Sequence, residues 1–127
     1  MSQPPASVKI GPLTYSIAVM PPREANSRGL YGHVMHSVQR IEIDQQHGAE
    51  RSALSVLHEI LHGFVAVYSI EVGDEKAEER FVGQMTTALG AAMRDSPEVF
   101  SWILDSLAGS RQERRAKLID EVEALEQ

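Results

Sequence analysis

The 127-residue chain contains no cysteine. That excludes disulfides, thiolate nucleophiles and cysteine-ligated metal sites together. Any metal ion must be held by histidine, aspartate or glutamate. Positive charge is also scarce: 12 Lys and Arg stand against 18 Asp and Glu, a formal net charge of −6. Such a balance offers no electrostatic case for a nucleic-acid partner or an anionic membrane surface. No apolar run reaches the ~20 residues that span a bilayer. The start, Met1-Ser2-Gln3-Pro4-Pro5, lacks the basic region and apolar core of a signal peptide. The expected location is the cytoplasm. There are no internal repeats.

What is present reads as one α+β domain. Residues 1–7 are expected to form a flexible tail, residues 8–109 the domain, and residues 110–127 a charged C-terminal helix. From Val8 to Val19 the pattern is strand-like, with Leu13, Tyr15, Ile17 and Val19 alternating with small or polar residues. Gly11-Pro12 kinks its start, Pro21-Pro22 stops it, and Arg23 to Gly29 reads as a polar loop. Leu30 to Val38 and Arg40 to Asp44 are the next strands. Together they predict a small antiparallel sheet of about three strands.

A helix is expected from Ala49 to Ser69. At 100° per residue, Arg51, Ser55, His58, His62, Ala66 and Ser69 form one narrow stripe, while Leu54, Leu57, Ile60, Leu61, Phe64, Val65, Val67 and Tyr68 occupy most of the rest. A helix that is apolar on nearly all sides is buried, so its polar stripe should face a pocket. Tyr68 reads as a core aromatic. Asp74 caps a second helix, Glu75 to Arg94, whose Gly83, Thr86 and Gly90 let another helix come close. Ser96-Pro97 starts a third, with Val99, Phe100, Ile103, Leu104 and Leu107 on its buried side and Trp102 as a packing residue. Gly109 ends it. Arg111 to Glu126 makes the last helix, with Leu118, Val122 and Leu125 suited to docking on the domain or on a second copy.

Within the first long helix stands Leu57-His58-Glu59-Ile60-Leu61-His62. Histidines four apart on a helix point the same way, so His58 and His62 can meet on one metal ion, with Glu59 close enough to reach a water there. A catalytic zinc site takes three protein ligands and leaves a fourth position open. A third histidine ten residues after the first is absent, because position 68 is Tyr. The remaining source is the acidic start of the next helix, where Glu75, Glu78 and Glu79 all qualify. Periodicity slightly favours Glu78. Glu75 is better read as a first-turn acid matched to the helix dipole.

These pieces resemble the small gluzincin-type zinc metallopeptidases, the short HExxH proteins often carried by phages and prophages (minigluzincin-like). The likeness runs from about Val8 to Leu107. It rests on Leu13-Thr14-Tyr15-Ser16-Ile17, on Gly32 followed by Arg40-Ile41-Glu42-Ile43-Asp44, on Leu57-His58-Glu59-Ile60-Leu61-His62-Gly63, and on Glu79-Arg80-Phe81-Val82-Gly83-Gln84-Met85, continuing through Ala88-Leu89 to Arg94-Asp95-Ser96-Pro97. The resemblance implies Glu79 as the third ligand, with Glu78 in reserve, one Zn2+ ion, and Glu59 as general base on a zinc-bound water. The substrate would be a peptide or protein lying extended along a sheet edge such as Arg40 to Asp44. Tyr31, His33, His36, His47 and Tyr68 are the residue types available to stabilise an oxyanion, with His33 and His36 expected to line the cleft from the strand at Leu30 to Val38. The rival expectation is a regulatory or structural zinc-binding module of the same fold without general proteolysis.

Overall fold

The computed structural model describes residues 3–28 and 31–126. The fold is α+β, with a four-stranded mixed sheet and four helices. The chain divides into two compact units, residues 1–90 and 91–127.

In the first unit, strands β1 (Ser7–Ile10) and β2 (Leu13–Val19) form a hairpin, with Ile10 opposite Leu13. The stretch from Val8 to Val19 is therefore two strands rather than one. Gly11 adopts φ +58° and Pro12 follows it, which suits a two-residue turn whose first central residue has positive φ. A Cβ on Gly11 would also lie 2.8 Å from Val67 Cγ1, so the turn packs directly on the end of the long helix. Just before β1, the Ala6 carbonyl accepts from Ile17 N–H at 2.8 Å.

The loop expected from Arg23 to Gly29 is instead occupied up to Arg28 by a short helix α1 (Pro22–Arg28), and Gly29 lies outside the described residues. Proline lacks the N–H that a first helical turn leaves unused, so Pro22 starts a helix where it was expected only to stop a strand. Ala25 is buried beneath it. Strands β3 (Gly32–Met35) and β4 (Arg40–Ile43) follow as an antiparallel pair. Leu30, where that third strand was expected to begin, lies outside the described residues.

The sheet order is β1-β2-β4-β3. β4 lies parallel to β2, with Ile17 opposite Ile41 and Val19 opposite Ile43. Two expectations change. The sheet has four strands and is mixed, because α1 and β3 intervene between β2 and β4 and carry the chain back in the same direction. The strand at Arg40 to Ile43 is interior, so the free edge on this side is β3. Alternation reveals which side chains share a face, but not which strand is outermost.

Helix α2 (Ala49–Val67) brings Val56, Ile60, Phe64 and Val67 against the buried cluster of Ile10, Tyr15, Ile41 and Ile43. Gly63 is the close-approach point, since a Cβ there would lie 2.6 Å from Ile10 Cδ1. α2 stops when Ser69 takes φ +53° and Ile70 N–H donates back to Val65 O at 3.1 Å, the left-handed exit usually left to glycine. Gly73 (φ +104°) and Asp74 then start α3 (Glu75–Asp95), with Ala77 N–H donating to Asp74 Oδ1 at 2.9 Å. α3 returns antiparallel along α2. Val82 packs on Leu61 and Val65, and Gly90 admits the end of Leu54. The helix-facing role of the small residues on α3 holds at Gly90, whereas Gly83 faces open space.

The second unit is dominated by α4 (Pro97–Leu125), one continuous helix. Gly109 does not end it. A single internal glycine costs only about 1 kcal/mol, and neither a following proline nor a left-handed turn accompanies it. α4 has no buried residue. Val99, Ile103, Leu104 and Leu107 are exposed rather than forming a buried side, and Trp102 is 69% exposed. Tyr68, expected in the core, is also exposed, since α2 has reached its last turn there. Among the described residues no helix is long and apolar enough to cross a membrane.

Candidate metal centre

The polar stripe of α2 does face a cavity. Arg51, Ser55, His58 and His62 line a space of about 720 Å³, closed by β3 on one side and by Glu79, Gly83 and Thr86 of α3 on the other. The arrangement follows from the two faces of α2. Its apolar residues are spent on the sheet and on α3, and the remaining stripe looks into the gap between them.

Four residues of helical spacing bring the imidazoles of His58 and His62 to 4.9 Å between ring centroids. His58, Glu59 and His62 each offer a ligand atom within 4.8 Å of the others, a grouping that could hold a metal ion. Glu79 approaches from α3. Its Oε1 lies 3.0 Å from His58 Nε2 and its Oε2 lies 2.9 Å from His62 Nε2. Glu78 takes the other side of the second ring, with His62 Nδ1–H donating to Glu78 Oε2 at 2.6 Å. Both acidic residues therefore reach the histidines, in different roles. Glu78 holds the back of one ring, and Glu79 faces the two Nε2 atoms together. Glu75 makes neither contact.

These contacts test whether a cation fits. A neutral imidazole has one N–H, and a carboxylate only accepts. Once His62 Nδ1–H is given to Glu78, its Nε2 presents a lone pair to Glu79 Oε2. That contact is attractive only with a proton or a metal ion between the two atoms. Burial holds His58 below the usual imidazole value, His62 adds to this, and Glu79 pulls the other way. A neutral ring is the form that binds a metal. The donor set of two nitrogens and a carboxylate suits a divalent ion such as zinc.

Glu59 sits beside this group, 5% exposed, and its Oε2 has no hydrogen-bond partner. Burial pushes its carboxyl up to about 7, with Glu79 adding and His62 opposing. Gly32 of β3 lies over it, where a Cβ would be 3.5 Å from Glu59 Cγ and 3.2 Å from Glu42 O.

The two further histidines separate. His33 lines the cavity, but its Nε2–H donates to Glu42 Oε1 at 2.7 Å and its Nδ1 is buried without a partner. His36 lies outside the cavity, exposed, with its Nδ1 3.1 Å from the Tyr15 hydroxyl. Tyr31 and Arg51 also enter the cavity wall. Arg51 stood in the polar stripe, so its position was available from helical spacing, and Tyr31 was among the residue types available to an oxyanion, without a signal that placed it in the wall. Comparison with protein families, with characterised sequences and with solved structures finds no match to this chain, so the chemistry of the site is argued from its own residues.

Proposed function

We infer that this chain is a zinc-dependent metallopeptidase of the small gluzincin type. The observation that carries the reading is the convergence of His58 Nε2 and His62 Nε2 on the two oxygens of Glu79, with the buried carboxyl of Glu59 alongside. His58, His62 and Glu79 would hold the ion, leaving Glu59 unligated. When bound, such an ion supplies Lewis acidity to a carbonyl and to water.

The protein's own residues supply the rest. Glu78 fixes the ring of His62, and with it the direction of the Nε2 lone pair. Glu59 takes a proton onto its unpartnered Oε2 and returns it to the departing amine nitrogen. A carboxyl whose affinity for a proton lies near neutrality in the metal-free protein suits both transfers. β3 is the free edge of the sheet beside the cavity. An extended peptide pairing with β3 would pass across the cavity in front of His58 and His62.

Glu59→Gln separates this reading from a structural or regulatory zinc module. The variant should bind one equivalent of zinc as the wild type does and lose cleavage of an unbiased peptide library by at least about a hundredfold. Equal cleavage by both proteins, or wild-type protein that takes up no zinc, refutes the proposal.

A further inference from the structure

We propose that Arg51 selects peptides carrying a carboxylate about three residues from the scissile bond. The proposal rests on the metallopeptidase reading for the words "scissile bond", and on the cavity alone for the anion site.

Among the described residues Arg51 is the one Lys or Arg that lines the cavity. Its guanidinium carbon sits 4.9 Å from the centroid of the Tyr31 ring, so one face of the cation is covered by an aromatic surface. Among the described residues it has no carboxylate partner. A guanidinium capped on one face still presents its N–H groups along its edge, the geometry that grips a carboxylate with two parallel hydrogen bonds.

The ring that positions it is itself held. Tyr31 stacks edge-on against His47 at 5.1 Å, and His47 Nε2 lies 3.1 Å from Asp44 Oδ2. Asp44 is 2% exposed, and its own N–H donates to Tyr31 O at 2.8 Å. Asp44, just past β4, thus holds the backbone of Tyr31 through its own N–H and the ring of Tyr31 through its carboxylate and His47. An arginine with only a solvation role would need none of this.

Position follows from helical geometry. Arg51 precedes His58 by seven residues, about 10 Å along the axis at 1.5 Å each. An extended peptide rises about 3.3 Å per residue, so the backbone positions of Arg51 and His58 are about three peptide residues apart along the helix. Tyr31, which precedes β3, marks this end of the cavity, while Gly32 already lies over Glu59. The overall charge of −6 repels acidic peptides, so a preference for them must come from a local cation. The shared chemistry is a peptide carboxylate, from an acidic side chain or from a free C-terminus.

The test measures binding by fluorescence anisotropy to the Glu59→Gln protein loaded with zinc. Three sets of labelled decapeptides are compared: neutral with an amidated C-terminus, the same with one glutamate at each position in turn, and neutral with a free C-terminus. One anionic set should bind about tenfold tighter than the neutral amides, and which set does so identifies the source. Arg51→Gln should remove the preference, and Arg51→Glu should transfer it to lysine-containing peptides. Both variants alter an exposed first-turn residue and should match the parent in thermal midpoint. Equal binding of all sets, a preference that survives Arg51→Gln, or no peptide binding overturns the proposal. The same peptides are offered to wild-type enzyme. Selective binding without cleavage removes the peptidase reading and leaves Arg51 as an anion site. Cleavage without charge preference does the reverse.

Discussion

Replacing Glu59 by glutamine should stabilise the metal-free protein at alkaline pH, although the same change abolishes the proposed activity. Glu59 is 5% exposed, and Oε2 has no partner. Its carboxyl is raised from 4.5 to about 7, first by burial and then by Glu79, against the pull of His62. Below pH 4.5 the group is protonated in both folded and unfolded chains. Between 4.5 and 7 the unfolded chain releases its proton while the folded one retains it, so stability falls as pH rises. Above 7 the folded protein carries a buried carboxylate, at a cost of about 3 kcal/mol. Glutamine removes the charge but leaves an amide with unmet hydrogen bonds, which returns about 1 kcal/mol of that. The expected gain is about 2 kcal/mol at pH 8 in EDTA, read as an increase of about 1 M in the urea midpoint. At pH 4, where the carboxyl is protonated in both states, the order should reverse and the glutamine variant should be the less stable by about 1 kcal/mol. Saturating zinc should narrow the gap at pH 8, because a neighbouring cation offsets the buried charge. A gap independent of pH, or a glutamine variant less stable than wild type at pH 8, would refute the account of Glu59 as a buried, unpaired carboxyl.

Four further outcomes are expected. Glu79→Gln should lower zinc affinity far more than Glu78→Gln, whose loss should stay within about 10–100-fold; equal losses in calorimetric titration would undo the division of roles. Asp44→Ala should cost about 1–3 kcal/mol, because it orphans the backbone N–H of Gln46 and the ring of His47, while Gln46 Nε2 keeps Pro22 O and Asn26 Oδ1; an unchanged melting temperature would contradict this. Burial raises the Asp44 carboxyl, but Gln46 and His47 outweigh it and leave it below its usual 3.8. Its stabilisation is therefore present above pH 3.8 and lost as pH falls through the lowered value, a loss that Asp44→Asn should remove from the acid unfolding curve. Gly32→Val should impair peptide cleavage more than zinc binding, since its side chain meets Glu42 O and Glu59 Cγ; equal impairment of both would argue for a general fold defect.

The sequence was most informative along α2. Helical spacing alone placed Arg51, Ser55, His58 and His62 on one stripe, and all four line the cavity. It also placed Glu78 and Glu79 within reach, because an antiparallel return is the short path after Gly73. Their division of labour was not legible. Residues adjacent in a helix differ by 100°, and which of them faces two rings depends on how far α3 is rotated against α2. That rotation is set by Val82 against Leu61 and Val65, and by the space at Gly90. The sheet was legible in its apolar faces and not in its order. Ile41 and Ile43 announce a strand with one buried face, but the parallel partner β2 is reached only after α1 and β3, a tertiary choice without a local signal. Gly109 misled for the opposite reason. A helix boundary was read from a residue that tolerates termination without requiring it.

The centre also explains why a helix so deeply engaged with the core keeps a polar stripe. Glu59, Glu78 and Glu79 gather around two imidazoles, and Glu59 does so with almost no access to water. Like charges at this spacing repel, and each imidazole can offer Glu79 a proton or a lone pair, but a lone pair facing a carboxylate is unfavourable. A divalent cation would turn the opposed Nε2 lone pairs and Glu79 oxygens into shared ligands and would offset the repulsion among the carboxylates. It attracts both Nε2 lone pairs and the Glu79 carboxylate, and it lowers the cost of ionised Glu59. Binding to the folded state alone then stabilises it by mass action. The apolar faces of α2 secure the fold, and the stripe between them gathers groups that could hold a cation.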